Sequence, residues 1–160
     1  MSALRHRLSQ LGLALPAANA TVFMYQPAVR HGDLLCIAGQ IPKLSHDTLT
    51  ATGKVGDTAL HDADLQLAVR TCVLNALAWI DELTRSDGAE VAQILRVNYF
   101  FQVTGSHQHS LSRLADAGSS LLVDIFGEKG RHARSVIGVT ELPRNAPVLI
   151  DMDVALGTAG

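Results

Sequence analysis

Residues 148–156 alternate strictly between two kinds of side chain. Every second residue is large and apolar, namely Val148, Ile150, Met152, Val154 and Leu156. Between them stand Leu149, Asp151, Asp153 and Ala155. A period of two predicts a β-strand with one wholly apolar face. We expect helices to cover that face, which leaves the face with the two aspartates for water or for another subunit.

The preceding sequence predicts four more strands and two long helices, in the order ββαβαββ. Turn residues, helical spacing and β-branched runs place these elements at 21–28, 33–38, 58–87, 94–103, 111–127 and Ala133–Val139. The first two strands are expected to form an antiparallel hairpin around His31-Gly32-Asp33. This order indicates a single α+β domain over residues 1–160, with helices on one side of a sheet.

The N-terminal residues must be distinguished from a secretory signal peptide, because basic residues precede an apolar stretch at 11–15. That stretch is shorter than the ~7 residues that the apolar core of a signal peptide needs. A short helix fits better, since Ser2 can cap its start and Gly12 can end it. Its buried stripe would contain Leu4, Leu8 and Leu11.

The amino-acid composition restricts the expected binding partners and the expected cellular compartment. Thirteen Lys and Arg residues against fifteen Asp and Glu residues give a formal charge of −2, without a dense basic cluster, so nucleic acid is not the expected partner. The two cysteines, Cys36 and Cys72, lie in apolar runs and predict free thiols in a reduced, cytoplasmic protein. No segment reaches the ~18 apolar residues of a membrane span, so no membrane association is expected.

Motifs for metal or nucleophilic chemistry are absent from the sequence. His107 and His109 form the one close histidine pair, but an i, i+2 spacing at a helix start points the two rings in different directions. We therefore expect no metal site. The sequence also contains neither a Gly-x-Ser-x-Gly motif nor a phosphate-binding glycine loop.

The segment Gly130-Arg131-His132-Ala133-Arg134-Ser135 places an arginine at the very start of a strand. If Arg134 pointed to the face with the aspartates, its planar guanidinium could bind a small carboxylate with two parallel hydrogen bonds. The alternative is a structural salt bridge from Arg134 to Asp151 or Asp153 across a terminal hairpin. The residues alone leave both possibilities open.

Several motifs, in order along nearly the whole chain, resemble the YjgF/RidA family, also called L-PSP endoribonucleases. They are Tyr25, Gly32-Asp33-Leu34-Leu35, Gly39-Gln40-Ile41-Pro42, Gly53-Lys54-Val55-Gly56, Asn75-Ala76-Leu77-Ala78, Phe126-Gly127-Glu128, residues 130–139 and Leu142-Pro143. The His-Ala-Arg-Ser segment, with the leading Leu-Gly-Leu-x-Leu-Pro, is similar to the longer subgroup of that family.

The resemblance implies a chorismate-mutase-like α+β fold with a mixed β-sheet, two long helices on one face and a homotrimeric assembly with clefts between subunits. It implies hydrolysis of reactive enamines and imines of 2-amino acids to 2-oxo acids and ammonia, without a metal or an organic cofactor. The carboxylate-binding arginine of the family falls on Arg134, and its site tyrosine on Tyr25. Its older name also raises endoribonuclease activity, which the charge of −2 disfavours.

Four family positions carry other residues in this chain. The site serine is replaced by Ala38, next to the matching Gly39, and the site asparagine by Ala117. The position two residues after the arginine is Val136 instead of cysteine. The acid that orients the water falls on Leu149, which cannot polarise water. Either Asp151, on the same strand face as Leu149, takes over that role, or the cleft binds a small carboxylate without hydrolysing imines.

Overall fold

The computed structural model describes residues 1–158, in which three α-helices and a five-stranded sheet form an α+β fold. The elements are α1 (Ala3–Gln10), β1 (Ala28–His31), β2 (Leu34–Gln40), α2 (Asp62–Thr84), β3 (Glu90–Gln102), α3 (Leu111–Phe126), β4 (Ala133–Val139) and β5 (Val148–Gly157). The order across the sheet is β1-β2-β5-β3-β4. The β3–β4 pair is parallel and the other pairs are antiparallel, so the sheet is mixed, as expected.

The alternation in β5 is confirmed by its burial. Its five large apolar residues are at most 4% exposed, and the residues between them are partly exposed. They belong to the core that α2 and α3 form with one face of the sheet, whose largest fully buried members include Tyr99, Phe101, Leu65 and Leu122. The opposite face of the sheet has no helix over it among residues 1–158, and it is called the open face below.

The first predicted strand is wrong in position. Residues 21–27 form no strand, and β1 covers only Ala28–His31. The two-residue loop after His31 pairs Ala28 with Ile37, so any earlier residue would need a partner beyond that point in β2. The strand is irregular between Ile37 and Gln40, and Pro42, which has no N–H to donate, follows at once. The apolar residues at 21–25 therefore stay unpaired despite their strand propensity.

The three helices begin and end close to the predicted residues. Ser2 caps α1 by accepting a hydrogen bond from the Arg5 N–H. The long helix α2 begins at Asp62, four residues later than expected, because His61 and Asp64 form a capping box there. None of the helices in residues 1–158 combines the length and the hydropathy that crossing a bilayer requires.

One feature of the topology differs from the expected order. The last two strands, β4 and β5, do not form a hairpin, because β3 lies between them and pairs with both. A short 3-10 helix at Pro143–Asn145 lies in the connection that carries the chain past β3. The face of the sheet that each β4 residue occupies therefore follows from its register against β3 and not from a hairpin with β5.

Candidate functional site

An open cleft of about 420 Å³ lies between the C-terminal half of α3 and the start of β4. Its lining consists of Ser119, Ser120, Val123, Asp124, Arg131, His132 and Arg134. The cleft therefore contains the arginine that the sequence singled out, together with polar residues from a helix distant in sequence. Helix α3 contributes the hydroxyl groups and the segment leading into β4 contributes the cationic and imidazole groups.

The expectation that Arg134 points to the face with the aspartates is wrong. Arg134 pairs in register with Val97 of β3, a fully buried residue of the core. Register partners in a sheet share a face, so the Arg134 side chain extends toward α3. The aspartates of β5 lie on the open face, and the sheet separates them from the guanidinium.

The alternative salt bridge to Asp151 or Asp153 is also wrong, since Arg134 pairs with residues of α3. Its Nη1 donates to a carboxylate oxygen of Asp116 at 2.8 Å and to Ser119 Oγ at 3.1 Å, and its Nη2 donates to the Ser112 carbonyl at 3.3 Å. Its side chain is 26% exposed and that of Asp116 is 65% exposed. The guanidinium is thus held on its helix side while it still faces the cleft.

Ser119 connects three side chains around the cleft. Besides the Arg134 contact, its hydroxyl lies 3.1 Å from the Tyr99 hydroxyl and 3.0 Å from His132 Nε2. The other ring nitrogen of His132, Nδ1, lies 2.6 Å from the Gly130 carbonyl. A carbonyl only accepts, so Nδ1 carries a proton, and in the neutral ring Nε2 accepts the Ser119 hydroxyl hydrogen.

The surroundings of Ser119 keep His132 and Tyr99 neutral. Burial lowers the pKa of His132, and the nearby charge of Arg134 lowers it further, while the bond to the Gly130 carbonyl works in the opposite direction. Burial likewise raises the pKa of Tyr99 to about 12, against the bond to Ser119 and the charge of Arg134. Near neutral pH the lining of the cleft thus combines the two arginines Arg131 and Arg134, the carboxylate of Asp124, a neutral imidazole and hydroxyl groups.

Gly130 allows the segment before β4 to approach α3 closely. A Cβ atom at Gly130 would lie 2.2 Å from the backbone carbonyl oxygen of Leu122, a distance that no side chain tolerates. The close approach brings the Gly130 carbonyl and His132 to the side of Ser119. Glycine at this position is therefore a condition for the geometry of the cleft.

The remaining predicted site residues divide between the two sides of the sheet. Ala117 and Val136 pack at the margin of the core, on the same side as Arg134. Gly39, Leu149 and Asp151 lie on the open face, where the Leu149 side chain covers Gly39: a Cβ at Gly39 would lie 2.8 Å from Leu149 Cδ2. Within one chain, the structure does not bring the two groups together.

Two further predicted residues lie near the opposite edge of the sheet from β4. Ala38 precedes Gly39 in β2 and is partly exposed. Tyr25 precedes β1 and is 51% exposed. Since β1 and β4 form the two edges of the sheet, neither residue lies in the Arg134 cleft of its own chain.

Asp151 has a partner on the open face. Its carboxylate accepts a hydrogen bond of 2.7 Å from the Asn98 amide. Burial raises the pKa of Asp151, the Asp153 charge raises it further, and the Asn98 bond and Arg96 oppose this shift. A carboxyl group with a raised pKa is suited to proton transfer, but it faces away from Arg134.

The sequence reasoning missed Asp116, Ser119 and His132 as site residues. No motif connects them, because the histidine follows the serine only thirteen positions later, on a different element. The sequence did contain one indication of His132. It lies two residues before Arg134, so the same segment brings both side chains near α3.

In residues 1–158, no group of three His, Cys, Asp or Glu side chains could hold a metal ion.

A larger cavity of about 640 Å³ lies away from this chemistry, between α1 and the C-terminal ends of α2 and α3. Its charged wall contains Asp81, which is already bonded to Ser2, Arg5 and Arg85. The cavity has no hydroxyl–imidazole pair comparable to Ser119 and His132 among the residues that line it. The smaller cleft is therefore the better candidate for a reaction.

Comparisons with known proteins agree with the fold. Protein TCP17 of Trypanosoma cruzi is 34% identical over 150 residues, covering 93% of this chain and 91% of that protein. The crystal structure of Atu1372 from Agrobacterium tumefaciens, a protein of unknown function, has a TM-score of 0.81 at 29% identity, covering 96% of this chain and 92% of that one. A "putative endoribonuclease" from Shewanella oneidensis MR-1 has a TM-score of 0.82 at 29% identity, covering 95% and 98%. The model of the family described as "YjgF/chorismate mutase-like, putative endoribonuclease" matches residues 5–156, and the chain therefore belongs to that family.

Proposed function

We propose that the chain binds a small 2-oxo or 2-imino carboxylate through Arg134 and hydrolyses the imine to a 2-oxo acid and ammonia. The carrying observation is the guanidinium of Arg134, fixed from the α3 side and facing an open cleft. Membership of the YjgF family supports the reaction class, which the resemblance to RidA-type deaminases suggested. The segment 130–135 and the leading helix support placement in the longer subgroup.

Arg134 retains hydrogen-bonding capacity for a ligand. Of the five N–H groups of a guanidinium, the contacts within residues 1–158 use two on Nη1 and one on Nη2. Nε and the second Nη2 hydrogen remain for a ligand carboxylate. The ion pair with the exposed Asp116 is of the kind that contributes only ~0.2–1 kcal/mol, so a ligand can displace that carboxylate.

A second copy of the chain would complete the site. The open face carries exposed apolar side chains at Val29, Leu34 and Ile137, beside Leu149. An apolar surface of this kind is typical of an interface. We propose a homotrimer in which the open face of one copy, with Gly39, Leu149 and Asp151, lies against the Arg134 cleft of the next. Light scattering at micromolar concentration tests the assembly, and a monomer would refute it.

Replacing Arg134 by lysine tests the binding role. The Arg134→Lys variant keeps the charge but loses the paired N–H donors, so its affinity for pyruvate falls about tenfold or more, from ~1.5–3 kcal/mol for a lost hydrogen bond to a charged group. Calorimetry measures this effect. Arg113→Lys, an exposed change on α3, is the matched control and keeps wild-type affinity. Equal affinities in wild type and Arg134→Lys, both folded by circular dichroism, would refute the assignment.

Ammonia release from 2-aminoacrylate, generated in place by a separate lyase, tests the reaction. We expect release faster than spontaneous hydrolysis. The second candidate function is carboxylate binding without hydrolysis, and the observation that favours it is Leu149, an apolar side chain over Gly39 at the position of the family's acid. Pyruvate binding without accelerated ammonia release would establish that candidate instead.

A further inference from the structure

The hydrogen-bond directions around Ser119 follow from His132. Because Nδ1 of the imidazole donates to the Gly130 carbonyl, Nε2 has a free lone pair and takes the single hydrogen of the Ser119 hydroxyl. The Tyr99 hydroxyl must then donate to Ser119 Oγ, as Arg134 does. Ser119 is thus a hydroxyl whose proton is directed at a base, while two donors support negative charge on its oxygen.

We propose that His132, acting through the Ser119 hydroxyl, is the general base that activates the hydrolytic water in the Arg134 cleft. This inference rests on the proposed imine hydrolysis and names the group that performs the task left open by Leu149. It differs from the expectation for Asp151, because His132 lies in the same cleft as Arg134 of its own chain. Asp151 can reach that cleft only from another copy.

The distances suit a 2-imino acid. Arg134 Nη1 and His132 Nε2 lie 3.1 Å and 3.0 Å from the same oxygen, Ser119 Oγ. In a 2-imino acid the electrophilic carbon is one bond of ~1.5 Å from the carboxylate carbon. A carboxylate that accepts from the second Nη2 hydrogen, and from Nη1 in place of Ser119, lies in contact with Ser119. Its neighbouring electrophilic carbon is then beside the Ser119–His132 pair, within the range of a single water molecule.

The reaction balances without an added reactant other than water. The water oxygen bonds to the imine carbon of the protonated imine, and the C=N π pair moves onto nitrogen. When the ligand carboxylate takes over the Nη1 hydrogen that Arg134 donates to Ser119, one lone pair of Ser119 Oγ becomes free for the water. One water proton then passes to Ser119 Oγ while the serine proton passes to His132 Nε2. The same path returns the proton to the amine of the carbinolamine. The C–N bond breaks, ammonia leaves with the bonding pair, the hydroxyl oxygen forms C=O, and its proton goes to ammonia. The products are the 2-oxo acid and ammonium.

The charges around His132 determine how the reaction depends on pH. Arg131 and Arg134 lie on its own segment, Asp116 and Asp124 lie on α3, and Tyr99 lies on β3. Burial and the Arg134 charge keep the pKa of His132 below the ordinary histidine value. The base is therefore neutral and available near pH 7, and kcat is expected to fall as the pH falls through the lowered pKa.

His132→Gln tests the inference, with His109→Gln as the matched control, because His109 lies at the start of α3 and pairs with Asp62. We expect His132→Gln to lower kcat for ammonia release about 10²-fold or more and to remove its dependence on pH, while pyruvate affinity is unchanged. The control keeps the wild-type kcat and pH profile. Imidazole added to His132→Ala is expected to restore part of the rate.

The outcomes separate the two proposals. A wild type that neither binds pyruvate nor releases ammonia overturns the proposed function and this inference together. Ammonia release by the wild type that is insensitive to His132→Gln and lost in Asp151→Asn overturns the inference and leaves the proposed function in place. A folded His132→Ala variant with full activity and no response to imidazole has the same consequence.

Discussion

Asp81 connects the N-terminal helix to the rest of the molecule through one buried carboxylate. Its side chain is 2% exposed and accepts hydrogen bonds from Ser2 Oγ at 2.6 Å, from Arg5 Nε at 2.9 Å and from Arg85 Nη2 at 3.1 Å. Ser2 and Arg5 belong to α1 and its cap, whereas Asp81 and Arg85 belong to the end of α2. Asp81→Asn retains the shape of the side chain and removes its charge.

The expected loss follows from the exposure of the partners. A hydrogen bond to a charged group contributes ~1.5–3 kcal/mol, but the Arg5 and Arg85 side chains are 44% and 59% exposed, so water screens part of the attraction. The asparagine oxygen still accepts from one donor, while its amide hydrogens face guanidinium groups. We expect Asp81→Asn to lower the free energy of unfolding by about 2 kcal/mol at pH 7, or the melting temperature by about 6 °C.

The pH dependence separates this effect from general damage. Burial by itself would raise the pKa of Asp81, but the bonds from Ser2, Arg5 and Arg85 outweigh it, and the pKa in the folded state lies below the ordinary value. The stabilisation is therefore complete above about pH 4 and is lost as the pH falls through the folded-state pKa. The difference between wild type and Asp81→Asn shrinks over that range.

Thermal unfolding followed by circular dichroism at a series of pH values measures the difference. Glu82→Gln is the matched control, because Glu82 is adjacent, pairs with the same Arg85 at 3.1 Å, and is 47% exposed. Its loss is expected to stay within ~0.5 kcal/mol. Equal losses for the two variants at pH 7, or an Asp81→Asn loss that persists unchanged at pH 2, would refute the account of the buried carboxylate.

Two further predictions concern the two sides of the sheet. Gly130→Ala forces a Cβ atom against the Leu122 backbone, so we expect urea unfolding to show a loss of ~3 kcal/mol in the free energy of unfolding. Gly39→Ala is the comparison, because its Cβ meets only the movable Leu149 side chain and the expected loss is under ~1 kcal/mol. Equal losses would show that the backbone contact is relieved. Since burial raises the pKa of Asp151, the wild type loses stability as the pH rises from the ordinary aspartate value to the raised one. Asp151→Asn is expected to unfold at higher urea than wild type at pH 7, and a lower midpoint would contradict that expectation.

Local patterns were sufficient for most of the elements. The period of two in β5 and the helical spacing before Gly127 depend on which side chains neighbouring residues can bury, and this information is contiguous in the chain. The strand Ala133–Val139 has the predicted bounds. The predicted strand at 21–28 was wrong over most of its length. Its residues have high strand propensity, but they find no partner, because the length of the hairpin and Pro42 limit which residues β2 can pair.

The sequence by itself determined that Arg134 begins a strand and that β5 has one apolar face, because alternation and turn residues act over a few positions. It also carried the motifs of the family. Only the tertiary structure decided that β3 lies between β4 and β5 and that Arg134 pairs with the buried Val97, which turns Arg134 toward α3 and away from Asp151. It alone brought Ser119 to His132, through the close approach at Gly130. Contacts between residues on different elements depend on sheet order and helix packing, and no local spacing encodes either.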